Sequence, residues 1–183
     1  MTLSRSLEEL NLVLFPSDLL VSKNMPLKEY APETDTKVRR MFDLLYRTPN
    51  GVGLAAPQVG WNVQLFVLNL SGKPEMKGDE LVFWNPTIVR TDGPFVYMKE
   101  GCLSFPGITG RVKRHTEVEL SAQTPSGPVS MTFEGLGAQA VQHEMDHLGG
   151  VLFIEKMSYA ERREVNVLLD GLIELQRRSG SKK

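Results

Sequence analysis

The stretch Gln142-His143-Glu144-Met145-Asp146-His147-Leu148 decides how the rest of this chain is interpreted. Side chains four apart on an α-helix lie on one face, so His143 and His147 can bind one divalent ion together. Glu144 follows the first histidine and can reach a water held by that ion, where it would act as a general base. The sequence therefore predicts a catalytic metal site on a helix.

A catalytic site of this kind needs three protein ligands and one open position, so a third ligand lies elsewhere. The metzincin pattern is excluded because its third histidine would fall at Phe153. Downstream, Glu161 or Glu164 would complete a thermolysin-like site, but those peptidases are about twice as long. Upstream, the candidates are His115 and Cys102. A thiolate is the softer and stronger donor for zinc or ferrous iron, which favours the cysteine.

Two further motifs precede the helix: Gly51-Val52-Gly53-Leu54-Ala55-Ala56-Pro57-Gln58 and Glu100-Gly101-Cys102-Leu103-Ser104. With the histidine motif they occur in the order found in peptide deformylases, which this chain resembles over residues 12–180. That family removes the N-formyl group from newly made bacterial and organellar polypeptides. The resemblance implies a metal-dependent hydrolase that acts on N-formylmethionyl peptides and releases formate.

The resemblance also assigns roles to residues. The implied metal ligands are Cys102, His143 and His147. Glu144 would take a proton from water and pass it to the departing amine. The side-chain amide of Gln58 and the backbone N–H of Leu103 would donate hydrogen bonds to the oxyanion. The family favours Fe²⁺ as the native ion, and Zn²⁺, Ni²⁺ and Co²⁺ accept the same donors.

The substrate is expected to be an extended peptide held by main-chain hydrogen bonds to a strand edge. Gly51 and Gly53 would let its backbone come close because they carry no Cβ, and Gly101 is a further expected contact. The implied pocket for the methionine side chain is formed by Val52, Met98, Leu136 and Ala140. Gln139 lies beside this wall and is unexpectedly polar; the sequence leaves its direction open.

Other polar residues near the motifs have structural interpretations. Asp146 is a candidate for orienting the second ring nitrogen of a ligating histidine. Glu100 is expected to pair with Arg111 or Arg114 and so to hold the cysteine loop. His115 falls in a strand-like run and is interpreted as a surface residue.

Two rival functions remain open on the sequence. A short zinc endopeptidase would use the same helix with a downstream glutamate as third ligand. A non-catalytic, metal-stabilised binding module would close the site with His115 as a fourth ligand. Substitutions of Cys102, Glu144 and His115 separate these cases.

Composition agrees with a compact enzyme. The chain has 183 residues, 41% of them hydrophobic and 23% charged, which predicts a single domain over residues 1–183. Residues 1–11 form an extension without a clear counterpart. A net charge of −1 argues against sequence-specific nucleic-acid binding as the main function. The lone cysteine excludes an intrachain disulfide, and no membrane span or secretory signal is found, so we expect a cytoplasmic protein.

The hydrophobic pattern predicts an α+β fold in which antiparallel strands surround the central metal helix and a C-terminal helix follows. Ser6-Leu7-Glu8-Glu9 reads as a capping box for a short helix, while residues 12–15 read equally well as a strand. The predicted elements are a helix around 38–45, strands at 63–70 and 81–90, a hairpin of 116–120 with 129–133, a metal helix over 135–148 and a final helix starting near Ser158.

The final helix has two distinct faces. Its apolar stripe is predicted to pack on the body of the fold and consists of Val165, Leu168, Leu169, Leu172 and Leu175. Its basic residues are Arg162, Arg163, Arg177, Arg178, Lys182 and Lys183. The basic face is either a solvated surface or, as the resemblance implies, a candidate contact with the ribosome.

Overall fold

The computed structural model of the protein describes residues 10–49 and 51–180, and a five-stranded antiparallel sheet lies at its centre. The strands are β1 (Gly53–Ala55), β2 (Leu65–Leu68), β3 (Leu81–Gly101), β4 (Thr109–Thr124) and β5 (Gly127–Glu134). Each strand pairs with the next along the chain. The short β1 is therefore an edge strand, and it lies within the glycine motif.

The predicted hairpin is confirmed, with β4 and β5 joined across Pro125-Ser126. The strand predicted at 63–70 is shorter than expected. The strand predicted to stop at residue 90 instead continues to Gly101. Three register shifts and a positive φ at Gly93 interrupt the alternation of buried and exposed residues in β3. Because strands are predicted from that alternation, the sequence did not indicate the full length of β3. This strand leads directly into the cysteine motif.

In the described part of the chain, three α-helices complete the fold: α1 (Pro32–Tyr46), α2 (Gly135–Leu148) and α3 (Tyr159–Gly180). All three were predicted, and the α+β class is confirmed. The Ser158 hydroxyl accepts a hydrogen bond from the backbone N–H of Glu161 at 3.2 Å and caps α3. Among the described residues, no helix is both long and apolar enough to cross a membrane.

The metal helix α2 lies between apolar clusters. One cluster joins its Val141 to Phe66, Phe83 and Phe133 of the sheet. In a second cluster, α1 packs against β1 and β2. In a third cluster, α3 packs against the segment that contains Phe105. Burial on several sides keeps α2 in one position relative to the strands that carry the other motifs.

The apolar stripe of α3 is narrower than predicted. Val165, Leu169 and Leu172 are buried and follow the i, i+4, i+7 row that contacts the body. Leu168 and Leu175 are 52% and 63% exposed, so their assignment to the packed face was wrong.

The N-terminal segment contacts two of the motifs. The strand considered for residues 12–15 does not form, and the capping box at Ser6 lies outside the described residues. Instead, the backbone N–H of Val13 donates to the carbonyl of Gln58 at 2.7 Å, and that of Phe15 donates to the carbonyl of Ser104 at 3.0 Å. The segment thus joins the glutamine turn to the cysteine loop.

Candidate metal centre

Three side chains bring metal-binding atoms together at the end of β3 and on α2. Donor atoms of Cys102, His143 and His147 all lie within 4.8 Å of one another. The distance from Cys102 Sγ to His147 Nε2 is 3.2 Å. Bond lengths of about 2.3 Å to sulfur and 2.1 Å to nitrogen in a tetrahedral site separate the two donors by roughly 3.6 Å. The donor set therefore fits one divalent ion, as predicted.

A buried carboxylate fixes the orientation of the first histidine. Glu100 Oε2 lies 3.0 Å from His143 Nδ1. Burial would raise the pKa of Glu100, but its hydrogen bonds to Arg114 and His143 outweigh this and lower the pKa to about 2. The carboxylate is therefore ionised and can only accept, so Nδ1 donates to it and Nε2 is the ring nitrogen that would bind a metal.

Arg114 connects this carboxylate to the far side of α2. Its Nε and Nη2 donate to Glu100 at 2.7 and 2.9 Å, and its Nη1 donates to Asp146 at 2.6 Å. Lys156 donates to the other oxygen of Asp146 at 2.7 Å. Glu100 thus pairs with Arg114 rather than Arg111, and the proposed histidine contact of Asp146 was wrong because its oxygens bind these two cations.

The surroundings shift the pKa values of the two imidazoles in opposite directions. Burial by itself lowers the pKa of His143, but the hydrogen bonds to Cys102 and Glu100 reverse this and place it above the usual value. Burial and the nearby His143 lower the pKa of His147. Within the described residues His147 Nδ1 is buried without a hydrogen-bond partner. Both rings must be neutral at their donor nitrogens to bind a metal.

Glu144 is buried beside the donors. Burial raises the pKa of its carboxyl to about 7, with the charge of His143 opposing and that of Glu100 adding to the rise. A carboxyl that titrates near neutral pH is suited to accept a proton and return it.

The two glycines of the first motif are closely packed inside the protein. A Cβ on Gly53 would lie 2.5 Å from Glu144 Oε1, and one on Gly51 would lie 2.9 Å from the carbonyl of Leu45. Internal packing is therefore a second reason why glycine is required at both positions, and the sequence did not reveal it.

Gln58 lies in the single 3₁₀ turn Ala56–Val59 that follows β1. Its Oε1 accepts from the backbone N–H of Ala55 at 2.8 Å, which fixes the direction of the amide. The NH₂ group therefore faces Cys102 Sγ and Ser104 Oγ, each at 3.3 Å. The amide therefore donates to one proposed metal ligand, Cys102, and to the neighbouring Ser104 hydroxyl.

A cavity of about 370 Å³ opens beside these groups. The predicted site residues on its walls are Gly51, Val52, Gly53, Gln58, Gly101, Cys102, Leu103, Leu136, Ala140, His143 and Glu144. Met98 is half-buried on β3 opposite Val112 and is not among these wall residues, so its place in the methionine pocket stays a prediction.

The cavity has walls that the motifs did not reveal. Thr48 and Pro49 line one side, and the segment 105–109 after the cysteine loop lines the other. Gln139 also faces the cavity, and its Nε2 donates to the backbone carbonyl of Lys99 at 2.9 Å. These segments lack a spacing pattern, so only the folded chain reveals them.

The family model for polypeptide deformylase matches residues 9–163, which include every residue of this centre. This chain belongs to the polypeptide deformylase family. Among solved structures, a plant peptide deformylase superposes with a TM-score of 0.88 at 36% identity, covering 98% of this chain and 96% of that one. A peptide deformylase from Plasmodium falciparum also reaches 0.88, at 33% identity, covering 92% and 98%.

The curated relatives differ in length. A peptide deformylase of Chromobacterium violaceum is 37% identical over 161 residues, covering 87% of this chain and 93% of that protein. Peptide deformylase 1B of Solanum lycopersicum, named as chloroplastic, is 42% identical over 150 residues, covering 81% of this chain. This deformylase chain spans only 53% to 61% of the length of the three plant relatives.

Proposed function

We propose that this chain is a metal-dependent hydrolase that removes the formyl group from the N-terminal formylmethionine of newly synthesised polypeptides and releases formate. One observation carries the proposal: a sulfur and an imidazole donor line a cavity with a buried carboxyl and a fixed amide NH₂ group, and the second imidazole donor lies within 4.8 Å of the other two donors. Amide hydrolysis needs an activated water, a proton carrier and an oxyanion donor, and these groups supply all three.

The proposed metal ligands are Cys102, His143 and His147, which leaves one position for water and substrate. When bound, the ion supplies Lewis-acid chemistry that activates water and polarises the formyl carbonyl. We propose Fe²⁺ as the native ion, with Zn²⁺, Ni²⁺ or Co²⁺ as substitutes. The soft thiolate with two imidazoles supports this range of ions and does not favour Mg²⁺ or Ca²⁺.

Glu144 is the proposed general base and acid. Its carboxyl takes a proton from the attacking water and delivers it to the nitrogen of the breaking formyl amide bond. The Gln58 NH₂ group and the Leu103 backbone N–H are the proposed donors to the oxyanion. Losing one such donor costs about 3 kcal/mol in other hydrolases, so Gln58→Ala should lower kcat more than it raises KM.

The substrate would enter as an extended chain beside β1, whose outer edge has no partner strand in the described sheet. Gly51, Gly53 and Gly101 lie where its backbone would pass. The methionine side chain would pack against Val52, Leu136 and Ala140, which are the apolar walls of the cavity.

The rival functions have less support. In the described residues, the donor group includes neither Glu161, Glu164 nor His115. Glu161 instead accepts hydrogen bonds from Arg111 at 2.6 and 3.2 Å. The His115 ring packs against Phe95, with 3.8 Å between ring centroids and 38° between the ring planes.

The test is formate release from formyl-Met-Ala-Ser by protein loaded anaerobically with Fe²⁺, with casein as a control for peptidase activity. We expect Glu144→Gln to retain the metal and lose hydrolysis, and Cys102→Ser to lose metal. His115→Ala should change little. Casein cleavage, or full activity in Cys102→Ser, would refute the proposal.

Two wider predictions await experiments. Contact with the ribosome through α3 stays a prediction, and Lys182 and Lys183 of its basic face lie outside the described residues. The cytoplasmic location stays a prediction as well, since plant relatives are named as chloroplast proteins.

A further inference from the structure

Gln139 lies on the cavity-facing row of α2, one turn before a metal ligand. That row consists of Leu136, Gln139, Ala140, His143 and Glu144. The spacing i, i+3, i+4, i+7, i+8 is that of one helix face. Four residues of α-helix rise by about 6 Å, so Gln139 lies about one turn from the reacting centre.

The amide of Gln139 is held in one orientation. Its Nε2 donates to the backbone carbonyl of Lys99 at 2.9 Å. A carbonyl oxygen only accepts, so the NH₂ group faces β3. Within the described residues, no other hydrogen bond engages this side chain, which leaves its second N–H and its Oε1 available at the cavity.

A comparison of lengths brings the tip of the first substrate side chain near this amide. With the formyl carbon at the metal donors, an unbranched side chain of methionine length would span roughly one helical turn of about 5.4 Å. Val52, Leu136 and Ala140 give the cavity apolar surface. Gln139 therefore places a polar group beside the apolar walls proposed for the methionine side chain.

We propose that Gln139 is a specificity-determining residue that extends the accepted substrates to formyl peptides with a polar, unbranched first side chain, methionine sulfoxide in particular. This inference rests on the proposed function. The sulfoxide oxygen is a stronger acceptor than the thioether sulfur of methionine and can receive the second N–H of the amide. A fully apolar pocket would leave that oxygen without a partner, which carries a desolvation cost.

The magnitude follows from one hydrogen bond. A net contribution of about 1 kcal/mol corresponds to roughly a fivefold change in kcat/KM. The hydrolysed bond is the formyl amide in every case, and the sulfoxide is carried through unchanged. Only the ratio between substrates is therefore expected to respond to Gln139.

The experiment measures formate release from formyl-Met-Ala-Ser and from the same peptide with methionine sulfoxide or norleucine first. The proteins are the Fe²⁺-loaded wild type, Gln139→Leu, Gln139→Met and Gln123→Leu. Gln123 is exposed on β4 and provides the matched control. We expect the sulfoxide-to-methionine ratio of kcat/KM to fall about fivefold in both Gln139 variants and to stay unchanged in the control. The norleucine ratio should not fall.

An unchanged sulfoxide ratio in Gln139 variants that still hydrolyse formyl-Met-Ala-Ser would overturn the inference and leave the proposed function intact. Equal loss on all three peptides in both variants would also overturn it, by assigning Gln139 a structural role through Lys99. Absence of formate from every peptide with wild-type protein would overturn the proposed function and this inference together.

Discussion

Replacing Gly53 with alanine should separate metal binding from hydrolysis. The added Cβ would lie 2.5 Å from Glu144 Oε1 and 2.9 Å from Leu68 Cδ2. Gly53 lies in β1, and its φ is not positive, so alanine can adopt the backbone conformation. The strain therefore falls on the side chains, and Glu144 is not a metal ligand in the proposed site.

The expected loss follows from the required movement. To reach an ordinary contact of 3.4 Å, the Glu144 oxygen must move by about 0.9 Å. A misplacement of about 1 Å in a catalytic group costs on the order of 100-fold in rate. We expect kcat for formyl-Met-Ala-Ser to fall between about 10- and 100-fold, with any rise in KM smaller than the fall in kcat. Overpacking should also reduce the free energy of unfolding by about 1–3 kcal/mol.

The assay combines formate release with metal content and denaturant unfolding. Metal content should match the wild type, because the three atoms nearest to the new methyl group belong to Glu144 and Leu68 and not to a proposed metal ligand. Gly171→Ala is the control, since a Cβ there meets no atom within 4 Å. A Gly53→Ala protein with kcat within threefold of wild type would refute the reasoning about Glu144.

Three further substitutions test the surroundings of the site. Arg114→Met leaves the buried carboxylate of Glu100 without its guanidinium partner and should reduce the free energy of unfolding by about 3–5 kcal/mol. The exposed control Arg39→Met should reduce it by less than about 0.5 kcal/mol. Equal midpoints of denaturant unfolding for the two variants would contradict this. Gly150→Ala should reduce the free energy of unfolding by about 1–3 kcal/mol, because Gly150 has φ +73° and its Cβ would lie 2.6 Å from the carbonyl of Val21. Gly149→Ala is the control and should be tolerated, because Gly149 has φ −83°. Equal losses of stability in thermal unfolding would contradict the backbone argument. Val13→Pro removes the backbone N–H that donates to the carbonyl of Gln58, and this bond holds the turn that carries the Gln58 side chain. We expect kcat for formate release to fall by at least about fivefold. An unchanged kcat would show that this bond does not position the side-chain amide.

Much of the candidate centre was predictable because its information is local. The spacing of His143 and His147 places both rings on one face of a helix, whatever surrounds it. The pattern also predicted the boundaries of α2 and the β4–β5 turn. Cys102 followed from donor chemistry together with the resemblance of three motifs.

Contacts between residues far apart along the chain could not be predicted from the sequence. Glu100 binds His143 across 43 positions, and Arg114 binds Asp146 across 32. Nothing in the spacing of these residues distinguishes Asp146 from Glu100 as the partner of the histidine. The continuation of β3 beyond residue 90 was missed for a related reason, because the register shifts in that strand break the alternation of buried and exposed residues.

The position of Arg114 has a consequence for the order in which the protein matures. Its guanidinium joins β3, β4 and α2, so the hydrogen bond between His143 Nδ1 and Glu100 is held in place only after these three elements have met. Chain collapse would therefore come before metal acquisition, and the ion would bind to a prepared set of ligands instead of organising them. A newly made chain that meets no metal should fold and wait in a loadable form.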